Sequence, residues 1–596
     1  MLKKNYKTTS LPYNQDLSAF APPHIPEKFS REEQRYLKPF FSNIDKPLFV
    51  VQHLPEEVIG ALSSRYSRSV HSLRRMFLTE YVEPVIHPEN QKDWAERTAS
   101  QKKEAQKTKK MFLEMIEFLI KGGGIDEVVN IQRGRKFFDK WLAAYGDDSI
   151  AELGGIHLSL EGVSNIAVQE IEDKRVGLSP LEKSTRYVSF RDKREDGNYK
   201  FVVPGELRDT KYEIPYTELM NTLFETYSEI ADPYVEYIKE RYPQGEDETP
   251  VSFKNSRSAK RFDDIRDLLP FATQTNMALF GNGRAFEDLI NRLLAHPLGE
   301  LRWWGQAITK ELEQAVPSFV RRPQTERGAE TQYYRSNILA LREQMNKELL
   351  KIPNLHVSFP QWAKLIDHTE DADVAIISAF LLNSHLGYSL HDIRRTVQRL
   401  PQYKRTKLLE EILQERFFNK PNAPRQEVRF RKVPRAFENA HYLFEIWGRA
   451  GDYRDLHRHR QMTQERHFFT TRWGYDLEPE VLESPFKEKI LSAYEKAEKL
   501  FKKIEVTNPW VAQYVVPFGY IQHWYMQMTA RQIYWMVELR TGPQGRPHYR
   551  HICQQIAREA KKATPNVFSA LMVDNNEYNL SRRESEKKIE KKLKNL

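Results

Sequence analysis

Cysteine is almost missing from this chain: there is one, Cys553, in 596 residues. That excludes a disulfide framework and any zinc site built on cysteines. It also narrows the chemistry, because an enzyme that methylates pyrimidine C5 through a protein thiolate would have to use Cys553. The residue lies in HICQQIAREAKK, between Ile552 and Ile556 at helical spacing, which is the setting of a packed, inert thiol. Long apolar runs are lacking too. The longest, Val374 to Leu382, is interrupted by Ser378 and is about half of the roughly 20 residues that a membrane span needs. The opening MLKKNYKTTS has positive charge but no apolar segment behind it, so no signal peptide is expected and the expected location is cytoplasmic. Nor does one sign of charge dominate. The 92 basic and 82 acidic residues leave +10, and part of that excess sits in the closing RRESEKKIEKKLKNL. A weakly basic chain suits an anionic ligand such as a nucleotide. A nucleic-acid partner is possible but not favoured, since a solvated lysine-rich tail explains much of the charge.

What is present is an ordinary globular mixture, 40% hydrophobic and 29% charged, long enough for roughly two to four domains with real cores. Residues 1–45 contain prolines, are weakly periodic and read as an extended arm. Beyond them an internal repeat emerges. FVVQHLPEEVIGALSSRYS, from Phe49, joins a short apolar strand to a Pro-Glu turn and a helix, and the stretch from Val357 through AKLIDHTEDADVAIISAFLL repeats the plan. ELGGIHLSLEGVSN, from Glu152, pairs with ENAHYLFEIWGRAG, from Glu438. Ile156, Leu158 and Leu160 alternate in the first and Tyr442, Phe444 and Ile446 in the second, the pattern of half-buried strands. Both run into a helix, about 164–175 and about 453–460. RAFEDLINRLLAHP, from Arg284, has its counterpart in RQIYWMVELRTGPQGRPHYRHI, from Arg531. The expected fold is α+β: two divergent tandem copies of one unit, a sheet flanked by helices, at 46–325 and 355–575. A charged helical linker (326–354) joins them, and a basic tail (576–596) follows.

Three segments could carry chemistry. LHRHRQMTQERHFF puts Arg458, His459 and Arg460 at the end of a helix; two guanidiniums beside an imidazole make an anion site, because each offers a rigid fork of donors. A metal held by His457, His459 and His467 is not expected, since the arginines would repel a cation. In GLSPLEKSTRYVSF, Gly177 can end a helix, and Glu182, Ser184, Arg186 and Tyr187 follow in a polar loop whose hydroxyls, amides and arginine suit a phosphate monoester. Arg531 and Arg540 are nine residues apart, about 180° on a helix, which predicts that they serve different ligands or subunits. The first copy keeps Asn282 and Arg284 but has Leu293 where Arg540 falls. Its GNG is a weak dinucleotide signal, because no strand feeding a complete fingerprint is expected there.

These residues resemble the flavin-dependent thymidylate synthases, whose signature is Arg-His-Arg, then Ser after seven residues, with Glu two before that Ser and Arg-Tyr two after it. Neither copy carries the whole signature; together they do. The first has Glu182, Ser184, Arg186 and Tyr187 but Lys174, Arg175 and Val176 for the Arg-His-Arg. The second has Arg458, His459 and Arg460 but Phe468 at the serine and Arg466 at the glutamate, and its RAFEN has Asn439 for the family's histidine. The resemblance implies a pseudo-dimer within one chain, with one composite site and further homo-oligomerisation. In it, Glu182, Ser184, Arg186 and Tyr187 would hold the nucleotide; Arg458, His459, Arg460 and Arg531, with Asn282 and Arg284, would hold FAD; and Arg540 would face the uracil. Arg540 and Ser184 are the residues on which turnover should depend. The implied reaction is methylation of dUMP to dTMP, with methylenetetrahydrofolate as carbon donor and NADPH as reductant, and it needs no protein nucleophile. Two other readings stand beside it: a decayed flavin- or nucleotide-binding scaffold, and a flavin and folate enzyme acting on another pyrimidine, free or in nucleic acid.

Overall fold

The computed structural model describes residues 15–121, 135–136, 148–173, 176–350, 361–418, 425–578, 580, 583 and 586–587. The expectations placed on 1–14 of the arm, on Lys174 and Arg175, on 351–360 and on most of the tail beyond 578 lie outside the described residues. The chain divides into two compact units. One comprises Met1–Phe224, Pro270–Asn354 and Lys502–Val515, and the other Glu225–Leu269, Leu355–Phe501 and Val516–Leu596. The continuous boundaries expected from the repeat do not coincide with these units, because 225–269 groups with the second unit and 502–515 with the first. Among the described residues no helix is long and apolar enough to cross a membrane.

In the first unit, α1 (Arg31–Leu37), β1 (Leu48–Val51), α2 (Glu56–Tyr66), α3 (Ala99–Ile120), β2 (Gly155–Ser164), α4 (Asn165–Glu172), β3 (Leu178–Glu182), β4 (Gln274–Asn282), α5 (Gly283–Leu294), α6 (Gly299–Ala315) and α7 (Glu326–Leu349) follow in order. The sheet is antiparallel, in the order β1-β2-β4-β3. Ile156, Leu158 and Leu160 are all buried, as their alternation predicts. The arm expectation needs correction. Ser30 and Glu33 form a reciprocal N-cap for α1, and Tyr36, Leu37, Phe40 and Phe41 join the core with Phe49, Leu62, Tyr66 and Phe77. Four aromatic and aliphatic side chains over six residues are reason enough, since burying each is worth about 1.5–3 kcal/mol. The helix expected to reach residue 175 stops at Glu172. The linker is the long helix α7.

The second unit repeats the plan with β5 (Ala363–His368), α8 (Ala372–Leu382), β6 (His441–Arg449), α9 (Ala450–Leu456), β7 (Thr463–Arg466), β8 (Ile521–Thr529), α10 (Ala530–Arg540) and α11 (Pro547–Ala563). Its sheet order, β5-β6-β8-β7, copies that of the first unit, again antiparallel. The register agrees as well. Gly155 faces Asn282 and His441 faces Thr529, and Asn282 and Thr529 each cap the helix that follows with their side-chain oxygens. Tyr442, Phe444, Ile446, Trp524, Met526, Ile533, Val537, Ile552 and Cys553 share one core.

A second, ionic core lies in the same unit. Arg449 meets Asp267 at 3.2 Å, Glu478 at 2.9 Å and also Asp476; Arg546 meets Asp267 at 2.5 Å and Glu478 at 3.1 Å. Lys260 pairs with Asp264 at 3.1 Å and Glu480 at 3.0 Å. Burial alone would raise the Glu478 carboxyl, but Arg449, Lys260 and Arg546 hold it well below the usual range. Gly451 leaves room for this cluster, since a Cβ there would come within 2.9 Å of Arg266 and 3.1 Å of Arg546.

Candidate active site

In the second unit α9 ends at Leu456, not at Arg460, so Arg458, His459 and Arg460 occupy the turn between α9 and β7. Burial alternates there: Arg458 and Arg460 are exposed and His459 is buried. This turn forms one side of a basin of about 310 Å³, at the small end of the usual range for ligand sites. Arg416, Arg429, Lys432, Arg531, Gln532, Trp535, Glu538 and Arg540 complete it with Val433, Gln461, Tyr534 and Leu539. Seven of its residues are arginine or lysine and one is acidic, so the basin suits an anion.

The cations are not equivalent. Arg416 is neutralised by a two-pronged contact with Glu538, at 2.6 and 2.9 Å, and lies over the Tyr534 ring. Arg531 donates to the Val433 carbonyl at 3.0 Å and to Glu438 at 2.6 Å. Burial works to raise the Glu438 carboxyl, but hydrogen bonds from Arg531 and Arg435 bring it below its ordinary value. Lys432 sits over the Trp535 ring at 4.3 Å. Arg540 donates from Nε to His459 Nε2 at 2.9 Å and carries no carboxylate partner among the described residues. Although they lie nine residues apart on α10, Arg531 and Arg540 both line one basin. Arg540 is the last residue of α10, and its side chain is drawn round the helix end by His459.

His457, His459 and His467 turn to separate partners: His457 stacks on Tyr453, His459 takes Arg540, and His467 packs against His523. Cys553 is fully buried, and desolvation pushes its thiol up to about 12.

In the first unit Glu182 ends β3, buried and opposite Met277, five residues before the cap Asn282; Arg466 ends β7 opposite Trp524, five before the cap Thr529. The two positions are thus structurally equivalent, as the signature spacing implies. The segment is partly strand rather than wholly loop. Its amides are not free for a phosphate. Ser184 N–H donates to Ser67 O, Tyr187 and Val188 N–H donate to Ser184 O, and Arg186 N–H donates to Ser184 Oγ. Arg186 is half-buried and Tyr187 is exposed with Arg68 over its ring, so side chains must do any binding there. Lys183, between Glu182 and Ser184, is buried, and desolvation lowers its amine to about 8.

Asn282 accepts from Ala285 N–H at 2.8 Å as a helix cap, and Arg284 pairs with Glu152 at 2.6 Å. A strand, β4, runs into the GNG segment, and the glycine fingerprint there is incomplete. Trp304 and Trp524 are wholly buried and serve packing.

Arg416, Arg429, Lys432, Gln532, Trp535 and Glu538 are basin residues that sequence reasoning missed. Trp535 and Glu538 lie four and seven residues beyond Arg531, a helical-face signal that could have found them. Arg416 and Arg429 have no local signal.

A family model described as "Thymidylate synthase complementing protein" (Thy1) matches residues 85–318 and 364–566. The chain is 34% identical to a UPF0159 protein of Chlamydia muridarum over 565 residues, 94% of this chain and 98% of that one. It is 28% identical to a UPF0159 protein of Thermoplasma acidophilum over 481 residues, 77% and 92% of the two. Among solved structures, a UMP/dUMP methylase, PolB, from Streptomyces cacaoi bound with 5-Br dUMP aligns at 18% identity and a TM-score of 0.27, over 35% of this chain and 94% of that one.

Proposed function

The chain belongs to the Thy1 family of thymidylate synthase complementing proteins, and from that premise we propose that it is a methyltransferase-like enzyme acting on dUMP. The observation that carries the reading is Arg540, a basin cation whose polar partner is a neutral ring nitrogen rather than a carboxylate. Its charge is therefore available to a pyrimidine. A guanidinium held beside the uracil carbonyls favours the ionised ring, on which C5 is nucleophilic, and it is worth most in a site that excludes water.

The finer reading names FAD, with methylenetetrahydrofolate and NADPH as co-substrates. The donor set fits: Arg458, Arg460 and Lys432 suit a diphosphate, while the volume takes a mononucleotide or one end of a dinucleotide. A reduced flavin, when bound, supplies one-carbon and hydride transfer, which leaves the protein to bind, orient and stabilise charge. Cys553 plays no part, being buried and protonated. Ser184, Arg186 and Tyr187 remain the proposed nucleotide-phosphate residues of the first unit, and Glu182 is buried.

A decayed binding scaffold is favoured by one observation, Arg466 and Phe468 where the signature has Glu and Ser. Of the tail that bears on a nucleic-acid substrate, Arg583 and Lys587 pair with Glu248 and Asp247. The visible spectrum of the purified protein decides between turnover and binding. A flavin spectrum that NADPH bleaches faster with dUMP present is the expected result; a flavin that NADPH leaves oxidised with or without dUMP would favour the scaffold.

A further inference from the structure

We propose that His459 and Gln532 are positioning residues that aim Arg540 into the basin without cancelling its charge. This deepens the reading of the basin as a nucleotide site and rests on it for the ligand, though not for the geometry.

Arginine has donors only, so the Nε–H of Arg540, 2.9 Å from His459 Nε2, requires a lone pair on that nitrogen. His459 is therefore a neutral imidazole with its proton on Nδ1. The Gln532 amide nitrogen stands 3.3 Å from Nδ1; with the proton on Nδ1, the amide must be turned over so that its oxygen accepts there, an exchange of nearly identical atoms. Gln532 is itself fixed, being buried in the first turn of α10, with its backbone N–H on the Thr529 hydroxyl. Gln464 donates to the His459 carbonyl at 3.2 Å. With Nε occupied, the guanidinium plane is set and its two terminal amino groups are turned to the basin. Arg531 and Arg416 illustrate the alternative, in which Glu438 and Glu538 fix direction at the expense of charge.

The arrangement has a pH signature. Protonating His459 converts the acceptor into a donor and sets a second cation beside Arg540, so Arg540 is expelled on acidification. The charged and titratable groups facing this pair are Arg458 and Arg460 on its own turn, Arg531 and Glu538 on α10, Arg416, Arg429 and Lys432 across the basin, and Tyr549 and Cys553 of α11, Tyr549 with its ring under Arg540.

Titration calorimetry with dUMP from pH 5 to 9, on the intact protein and on three variants, tests the proposal. His459→Leu should weaken binding about tenfold or more, the worth of a charge-assisted contact. His459→Gln, whose amide oxygen can accept from Arg540, should restore affinity to within about threefold and abolish the acid limb. Gln532→Glu, by favouring the imidazolium, should move that limb to higher pH. Equal affinities and one shared pH profile in all four proteins would overturn the proposal. Crystal structures of the two His459 variants decide it separately if dUMP binds none of them, the outcome that defeats the functional reading. Arg540 should leave its position in His459→Leu and keep it in His459→Gln; the same Arg540 conformer in both would refute the positioning role.

Discussion

Arg531 donates to the Glu438 carboxylate at 2.6 Å, and Arg284 makes the same contact with Glu152 at the same distance in the other unit. The ion pair joins the helix after the last central strand to the segment before the preceding one in both copies, so it belongs to the shared framework. A guanidinium spent in this way has little charge left for a ligand. Arg540→Ala should therefore lower dUMP affinity about tenfold to a hundredfold, as loss of a charge-assisted hydrogen bond does, whereas Arg531→Ala should cost less than about tenfold and lower the melting temperature instead. Calorimetry on both variants checks this, and a larger affinity loss at Arg531 would reverse the assignment.

Cys553 gives a second expectation. Its thiol is pushed up to about 12 by desolvation, and the thiolate is the reactive form. A disulfide reagent at pH 8 should leave the native protein unmodified and titrate one thiol after denaturation. Cys553→Ala should retain activity, at a stability cost of about 1–2 kcal/mol for the lost packing. Rapid labelling of the native protein, or an inactive but folded Cys553→Ala, would reinstate thiolate chemistry.

The strand-to-helix plan was legible because its signals are local. Ile156, Leu158 and Leu160, or Tyr442, Phe444 and Ile446, write burial into the sequence at period two. The Glu182 and Arg466 correspondence was legible too, through signature spacing. What was hidden depends on elements brought together by folding. Arg540 joins Arg531 in one basin because His459, eighty-one residues earlier, draws it round the end of α10. Arg416 reaches the basin through Glu538, over 122 residues. The segment beginning at Arg31 reads as an arm because its apolar residues cluster in Tyr36–Phe41, too short a span for periodicity, although every residue of that span but the charged Lys38 is buried.

Lys183 links stability to pH. Its folded value, about 8, lies below the ordinary 10.5, because desolvation outweighs the attraction of Glu161. A base with a depressed folded value stabilises the fold above its unfolded pKa, and that contribution is lost as pH falls through the folded one. Stability attributable to Lys183 should thus rise between about pH 8 and 10.5. Lys183→Met removes the charge while keeping the stem over the Tyr66 ring, where the amine now sits at 5.1 Å. The melting temperature of the variant relative to the native protein should be most favourable below pH 8 and decline above it. A difference that stays constant from pH 7 to 10 would show that Lys183 ionises as in water.

The ionic core of the second unit sets the last expectation. Asp267 takes Arg449 and Arg546 together, and all three side chains are almost wholly buried. Removing one partner of such a pair leaves an uncompensated charge away from water, which costs about 3–5 kcal/mol. Asp267→Ala should lose that much in urea denaturation. Asp267→Asn, which can still accept hydrogen bonds from one arginine, should lose less, and Arg449→Met with Asp267→Leu should recover part of the loss, because the two charges leave the core together. Arg449 also caps α9 through its backbone N–H on Asp452 at 2.9 Å, and that bond survives the side-chain change. A loss below about 1 kcal/mol for Asp267→Ala, the worth of an exposed pair, would mean that water reaches the cluster and that its charges are not desolvated.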